Sequence, residues 1–270
     1  MTTAGMTLRG SYDFRLVSLS IVIAILAAYA ALALAGRMTP SRDRAHLAWL
    51  VGGASAMGLG IWSMHYIGML AFHLPVDVRY DWPTVLLSLL AAIMASGIAL
   101  LLASQQNPRK TDLAVGGVLM GGGIACMHYI GMAAMRLQAV CRYSPPMFAL
   151  SIAIAIAIAF VALWLFFYFR QPGQPGIMQK VGGVLLLGAA VPTMHYTGMA
   201  SATFVKTRFA PDFSHAVPVS TLGIAGVTAI TILILGAAVL TSVVDRRFTA
   251  QALALESSEQ AYRQIVNRRK

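Results

Sequence analysis

Seven apolar runs divide this chain, at 16–36, 47–72, 84–104, 113–136, 147–169, 181–204 and 218–244. Each is long enough to cross about 30 Å of hydrocarbon. In that solvent every backbone N–H and C=O must find its partner inside the segment, so each run reads as an α-helix. Only 11% of the 270 residues are charged, roughly half the share of a soluble domain. The fold class expected is an all-α membrane protein with seven transmembrane helices. The net charge of +11 does not point to nucleic acid, because Lys and Arg fall in short connections, as topology determinants do.

Those connections carry turn punctuation, as in "RMTPSRDR" (37–44), "LPVDVRYDWP" (74–83) and "RQPGQPG" (170–176). The first, third and fifth hold Arg37, Arg42, Arg44, Arg109, Lys110, Arg170 and Lys180; the other three hold Arg79, Arg136, Arg142, Lys206 and Arg208. Arg246, Arg247, Arg263, Arg268, Arg269 and Lys270 follow the last run. The balance places the N-terminus outside and the C-terminus in the cytoplasm. The first run lacks a basic flank and a cleavage site and reads as a span, not a removable signal.

Within this apolar background six letters recur: Met64-His65-Tyr66-Ile67-Gly68-Met69, Met127-His128-Tyr129-Ile130-Gly131-Met132, and Met194-His195-Tyr196-Thr197-Gly198-Met199. The histidines stand 63 and 67 residues apart, the length of one helix hairpin. Glycines align with them: Gly53, Gly116 and Gly183 stand eleven before the first Met, and Gly58, Gly121 and Gly188 six before it. The expected architecture is three repeated two-helix units plus one N-terminal helix, with helices 2, 4 and 6 inside, packed through small residues.

On a helix, i and i+4 share a face, so His65 lies with Met69, His128 with Met132 and His195 with Met199. Each His falls about 10–13 Å from the outer end of its helix, given the helical rise, and all three share one depth. An ionisable group kept in a membrane is a functional candidate by default. Imidazole with thioether is a soft-to-borderline ligand set that suits copper, and no carboxylate stands near for harder ions. The candidate metal ligands are His65, His128 and His195, with Met64, Met69, Met127, Met132, Met194 and Met199. Tyr66, Tyr129, Tyr196 and Cys126 are candidates for a supporting layer. Interfacial placement also accounts for the tyrosines, and core packing for Cys126 and Trp62. His46, His73 and His215 lie in connections and read as solvated. The sequence offers no Ser/His/Asp set, phosphate-cradling loop or paired carboxylates, so the chain is not expected to be an enzyme.

Three M-H-Y-x-G-M copies on alternate helices of a seven-helix chain resemble the MHYT family of bacterial sensor domains, over about residues 12–245. The resemblance implies copper held by the motif His and Met near the outer face of the bacterial inner membrane. It implies sensing of a diatomic gas (O2, CO or NO) or of redox or copper state. It also implies cytoplasmic output modules, such as PAS, GGDEF/EAL (diguanylate cyclase/phosphodiesterase, hence cyclic di-GMP signalling) or histidine kinase. The expected domains are an N-terminal segment (1–15), the sensor (16–245) and a cytoplasmic helical linker (246–270), whose "SSEQAYRQIV" resembles the entry to a PAS domain. A homodimer is the expected assembly by analogy. The residues themselves leave three alternatives open: a bis-His haem protein, a copper transporter, and a structural or lipid-binding module whose histidines tie helices together.

Overall fold

The computed structural model describes residues 5–35, 44–105, 109–169, 176–229, 232 and 236. The segment 246–270 and the end of the seventh run, 237–244, lie outside the described residues. The chain divides into units Met1–Thr231 and Ile232–Lys270, and the features below belong to the first. Its helices are α1 (Phe14–Ala35), α2 (Arg44–Ala71), α3 (Trp82–Ser104), α4 (Lys110–Ala133), α5 (Pro145–Phe169), α6 (Ile177–Ser201) and α7 (Val219–Ala229). Six of the seven expected runs thus appear nearly whole. The seventh is described over its first eleven residues. His46 falls in the opening turns of α2, not in a connection.

The interior is apolar with small polar side chains set into it, and the exterior is apolar as well. Histidines and serines are inside: Ser20, Ser63, His65, Ser88, His128, Ser151 and His195 are each at most 1% exposed. Large apolar side chains face out, among them Leu86, Leu90 and Met94 on α3, Val118 and Leu119 on α4, and Phe160 and Trp164 on α5. An apolar exterior of that extent needs an apolar surrounding. Within α3, α4 and α5, Trp82–Leu102, Lys110–Ala133 and Pro145–Tyr168 are long and apolar enough to cross a membrane.

Helices α1 to α6 close into a ring in chain order, α6 returning to α1, with α2, α4 and α6 also touching one another at the centre. The inner placement of helices 2, 4 and 6 follows the reading of the sequence. The odd helix does not. α1 sits between α6 and α2 as the third outer helix, and α7 packs outside against α2. Ring closure overrides chain order: the partner of α6 is the first helix, not the seventh.

Glycines set the close approaches. A Cβ on Gly58 would come within 2.7 Å of the Ile93 Cα on α3. Cβ atoms on Gly121 and Gly188 would come within 2.5 Å of the Ile156 Cα on α5 and the Ile25 Cα on α1. The three contacts are equivalent, and any larger residue would push inner and outer helices apart.

At one end the connections form short antiparallel strands that the sequence reading took for loops. The strand leaving each motif helix pairs with the strand entering an outer helix: β3 (Phe72–His73) with β2 (Ser11–Tyr12), β5 (Met135–Arg136) with β4 (Arg79–Asp81), and β7 (Ala202–Lys206) with β6 (Ala139–Tyr143). Two further strands, β1 (Thr7–Leu8) and β8 (Ala216–Pro218), extend β7 and β4. Three matched backbone bonds pin this rim: the N–H groups of Asp13, Asp81 and Ser144 donate to the carbonyls of Ala71, Ala134 and Ser201 at 2.9, 2.9 and 2.8 Å. Each of these residues stands just before an outer helix.

Candidate metal centre

The motif segments lie in the last two turns of α2, α4 and α6. Because the three helices meet on the ring axis, residues at one height in each converge there. His65 and His128 are wholly buried and His195 is 1% exposed. Their Nδ1 atoms form a triangle with edges of 3.0 Å (His65–His195), 3.3 Å (His65–His128) and 3.2 Å (His128–His195). The rings stand edge to face, with centroids 5.0–5.1 Å apart and planes crossing at 83–86°. A centroid triangle of that size has a radius of about 2.9 Å, against about 1.8 Å for the nitrogen triangle. The difference is nearly the full radius of an imidazole, so each Nδ1 points at the common centre.

That arrangement is poorly satisfied by protein groups alone. A neutral imidazole carries one proton. With the protons on Nε2, three lone pairs converge on one point and repel. A proton on one Nδ1 can be donated along an edge to a neighbouring Nδ1, but three such protons cannot all face one centre. The Nε2 atoms of all three histidines are buried and lack a hydrogen-bond partner. The triad is the one group of three or more such ligand residues found among the described residues, with ligand atoms within 4.8 Å of one another. An ion at the centre would lie about 1.8 Å from each Nδ1, about 0.2–0.3 Å short of an imidazole–zinc bond of ~2.0–2.1 Å, a gap that a small outward shift of the rings closes. The three histidines therefore fit a metal ion.

Behind each ring stands a glycine of the next motif helix. A Cβ on Gly68 would fall 2.5 Å from His195 Nε2, and one on Gly198 2.5 Å from His128 Nε2. A Cβ on Gly131 would clash with His65 Nε2 in the same way. The chain thus places each His of one repeat against the Gly of another, in a closed cycle of three, and the motif glycine is the floor on which the imidazole rests.

The tyrosines form a second layer. Tyr66, Tyr129 and Tyr196 each lie edge to face with the preceding His at 4.8 Å. Their hydroxyls meet Ser88, Ser151 and Ser20 at 3.4, 2.6 and 2.8 Å. Each Ser Oγ already donates to the carbonyl three residues back, in Val85, Phe148 and Val17, so the phenols are the donors. A rim tyrosine covers each: Tyr80 on Tyr66, Tyr143 on Tyr129 and Tyr12 on Tyr196, at 5.6, 5.3 and 5.8 Å between ring centres. Burial raises the Tyr80 and Tyr143 phenols well above the ordinary value. It pushes Tyr12 up to about 12, with the neighbouring Tyr196 adding to it. All three rim phenols are protonated at neutral pH. Tyr12, Tyr80, Tyr143, Ser20, Ser88 and Ser151 are not among the candidates legible within the motif copies. A signal was present: in all three copies a Tyr stands eight residues before a Ser.

All six motif methionines are buried, from 0% exposed at Met64 to 4% at Met199. Met69, Met127, Met132, Met194 and Met199 belong to the core cluster, as does Trp62. Met64 lines a cavity on the axis. Cys126 is exposed, so it neither packs in the core nor supports the triad. His73 Nδ1 donates to the Ala71 carbonyl at the end of α2 at 3.2 Å, and His215 lies edge-on to Trp82 at 6.5 Å. Neither joins the cluster.

Comparison with known proteins agrees with this geometry. Residues 1–48, 58–116 and 121–176 match the MHYT family, described as a bacterial signalling protein N-terminal repeat. The second and third matches begin at the equivalent glycines Gly58 and Gly121, and the first covers α1, the helix that closes the ring. The chain is 42% identical over 257 residues to the bifunctional diguanylate cyclase/cyclic di-GMP phosphodiesterase MucR of Pseudomonas aeruginosa, covering 95% of this chain and 37% of MucR. It is 34% identical over 263 residues to the signalling protein YkoW of Bacillus subtilis, covering 97% of this chain and 33% of YkoW. It is 40% identical over 193 residues to the cyclic di-GMP phosphodiesterase NbdA of P. aeruginosa, covering 71% of this chain and 24% of NbdA. The chain thus spans about a third or less of the length of these relatives, and no solved structure matches it. Repeat matches over three segments and relatives aligned along nearly the whole chain lead to one conclusion: this chain belongs to the MHYT family of bacterial signalling proteins.

Proposed function

We propose that this chain is the membrane sensor region of a cyclic di-GMP signalling protein, and that its three motif histidines hold one copper ion. The observation that carries the reading is the nitrogen triangle, 3.0–3.3 Å on an edge, with each Nδ1 aimed at its centre. Three imidazoles suit copper or zinc. The thioethers of the six motif methionines, buried among the same residues, favour the softer copper. Such an ion, when bound, supplies a coordination position that can take a small ligand and a redox couple. That would serve the sensing of a diatomic gas or of redox or copper state. A haem is disfavoured, because no macrocycle fits between nitrogens 3.0–3.3 Å apart.

In this reading all seven helices cross the bacterial inner membrane. The N-terminus lies outside, the strand rim and triad lie near the outer face, and residues 246–270 lead into a cytoplasmic output module. α7 is the outgoing element. Its Gly226 carbonyl accepts a hydrogen bond from Ser63 Oγ at 3.0 Å, two residues before His65. Its Gly223 rests on Leu70 and Ile67. At the equivalent positions of the other two motif helices stand Cys126 and Thr193, both exposed. Among the described residues, these contacts tie α7 to α2 at the height of the motif.

The test is the metal content of the purified chain by mass spectrometry, together with its absorption spectrum. One copper per chain, lost in the H65A/H128A/H195A variant while the helices persist by circular dichroism, is the expected result. Zinc in its place would overturn copper, a Soret band would establish haem, and a stable chain that refuses metal on titration would leave the histidines as helix ties.

A further inference from the structure

One helical turn from the triad, on the side away from the strand rim, the ring axis is hollow. A partly open apolar pocket, with about 100 Å³ of space for a small molecule, lies between all six ring helices. Its wall nearest the triad is formed by Ile61, Ile124 and Val191, each four residues before a motif histidine and so on the same helix face. Ala24, Ala27 and Ala28 on α1, Ala99 on α3 and Ala162 on α5 leave the space that larger side chains would fill. Every described lining residue is apolar, and among these the only side-chain heteroatoms are the thioether sulfurs of Met57, Met64 and Met120.

A water in such a space would lack the two to four polar partners it needs, and apolar cavities of this order stay dry and accept xenon or small hydrocarbons. We infer that this cavity is a binding site for one small uncharged apolar molecule, held one helical turn from the histidine triad. Such an occupant touches α2, α4 and α6 together at Ile61, Ile124 and Val191. It thereby bears on the spacing of the three helices that set the nitrogen triangle. The inference deepens the sensor reading, naming a ligand class and a place for it, yet the cavity itself does not depend on a metal being bound.

Xenon is the probe. Crystals of the detergent-solubilised chain, pressurised with xenon, should show one anomalous peak on the axis between Ala27, Ala99 and Ala162. The peak should vanish in Ala27→Leu and, as a second variant at a less tightly packed position, in Ala162→Leu. Both should keep the metal content of the wild type, since neither touches a histidine. The H65A/H128A/H195A variant should lose metal and keep xenon, which separates the fate of this inference from that of the metal. No peak in the wild type, a peak unchanged in both filled variants, or density for a detergent or acyl chain in the cavity would overturn the proposal.

Discussion

Gly68→Ala should be among the most damaging single-methyl additions in this protein. The reason lies in the neighbouring repeat. The added Cβ would stand 2.5 Å from His195 Nε2 and 2.9 Å from its Cδ2, where ordinary contact begins near 3.4 Å. The imidazole must retreat by about 0.9 Å, more than a quarter of the nitrogen triangle's edge. It is hemmed in by His65 and His128 at 5.0 and 5.1 Å and by Tyr196 at 4.8 Å. Overpacking of this kind costs about 1–3 kcal/mol. The helix propensity gained by replacing Gly with Ala, at most ~1 kcal/mol, acts in the other direction.

Gly52→Ala isolates the packing term. Gly52 lies on the same helix, and a Cβ there meets nothing within 4 Å. Both variants gain the same propensity, so Gly68→Ala should unfold about 1–3 kcal/mol more easily than Gly52→Ala in a thermal or denaturant series in one detergent. If the triad holds a metal, a ligand moved by about 0.9 Å exceeds the ~0.2 Å a site tolerates, so Gly68→Ala should also lose metal while Gly52→Ala keeps it. Equal stability and equal metal content in the two variants would refute the idea that the motif glycine is a seat for the histidine of the next repeat.

Three further outcomes follow from the layers around the triad. Tyr129→Phe removes a 2.6 Å bond to Ser151 and Tyr66→Phe one of 3.4 Å to Ser88. The first should cost about 0.5–1.5 kcal/mol and the second clearly less; the reverse order in the same melts would show that these bond lengths do not rank the two contacts. Asp81 caps α3, accepting from the Thr84 N–H at 3.1 Å, and the Thr84 hydroxyl holds its carboxyl below the ordinary 3.8, the backbone N–H and Arg136 adding to the effect. Its stabilisation is present above that value and fades as pH falls through the folded-state pKa, so Asp81→Ala should cost about 1 kcal/mol at neutral pH and flatten the acid limb of a stability–pH profile. Gly226→Leu drives a side chain into Ser63, whose Cα already lies 3.2 Å from the position of a Cβ. Hydrogen exchange in α7 should then rise while the metal content stays that of the wild type; protection unchanged in α7 would show that this contact does not hold it.

How much of this was legible in the sequence depends on whether the signal lay within one run or between runs. Helix extents came from the apolar runs, because in lipid the backbone leaves few choices. The convergence of His65, His128 and His195 followed from their equal position in three equivalent helices. The Gly58, Gly121 and Gly188 approaches followed from their alignment. The pairing of Gly68 with His195 did not, since nothing within a repeat says which neighbour's imidazole lies over its glycine. The rim strands were hidden for another reason: two- and three-residue strands such as β3 and β4 carry no period. Cys126, read as buried because it sits in an apolar run, shows that in a membrane protein apolar neighbours do not imply a core position.

The misassigned helix follows from the same cause and explains the missed tyrosines. Counted along the chain, a motif helix is followed by its outer helix, and α6 is therefore given the seventh run. In the ring, the outer helix of α6 is α1, whose capping residue Asp13 donates to Ala71 of α2 while its Ser20 receives the phenol of Tyr196. The third repeat is thus split across the two ends of the unit. Its Tyr12 and Ser20 stand 182 and 174 residues before the first Met of their own motif and look like N-terminal leader. Once α1 is restored to third place, Tyr12, Tyr80 and Tyr143 fall into register, as do Ser20, Ser88 and Ser151. Closure also makes the triad depend on the segment that precedes α1. β2 pairs with β3 and β1 with β7, so the residues before α1 tie the ends of both α2 and α6 into the rim. A site built from three copies of one motif is completed by residues that carry no copy of it.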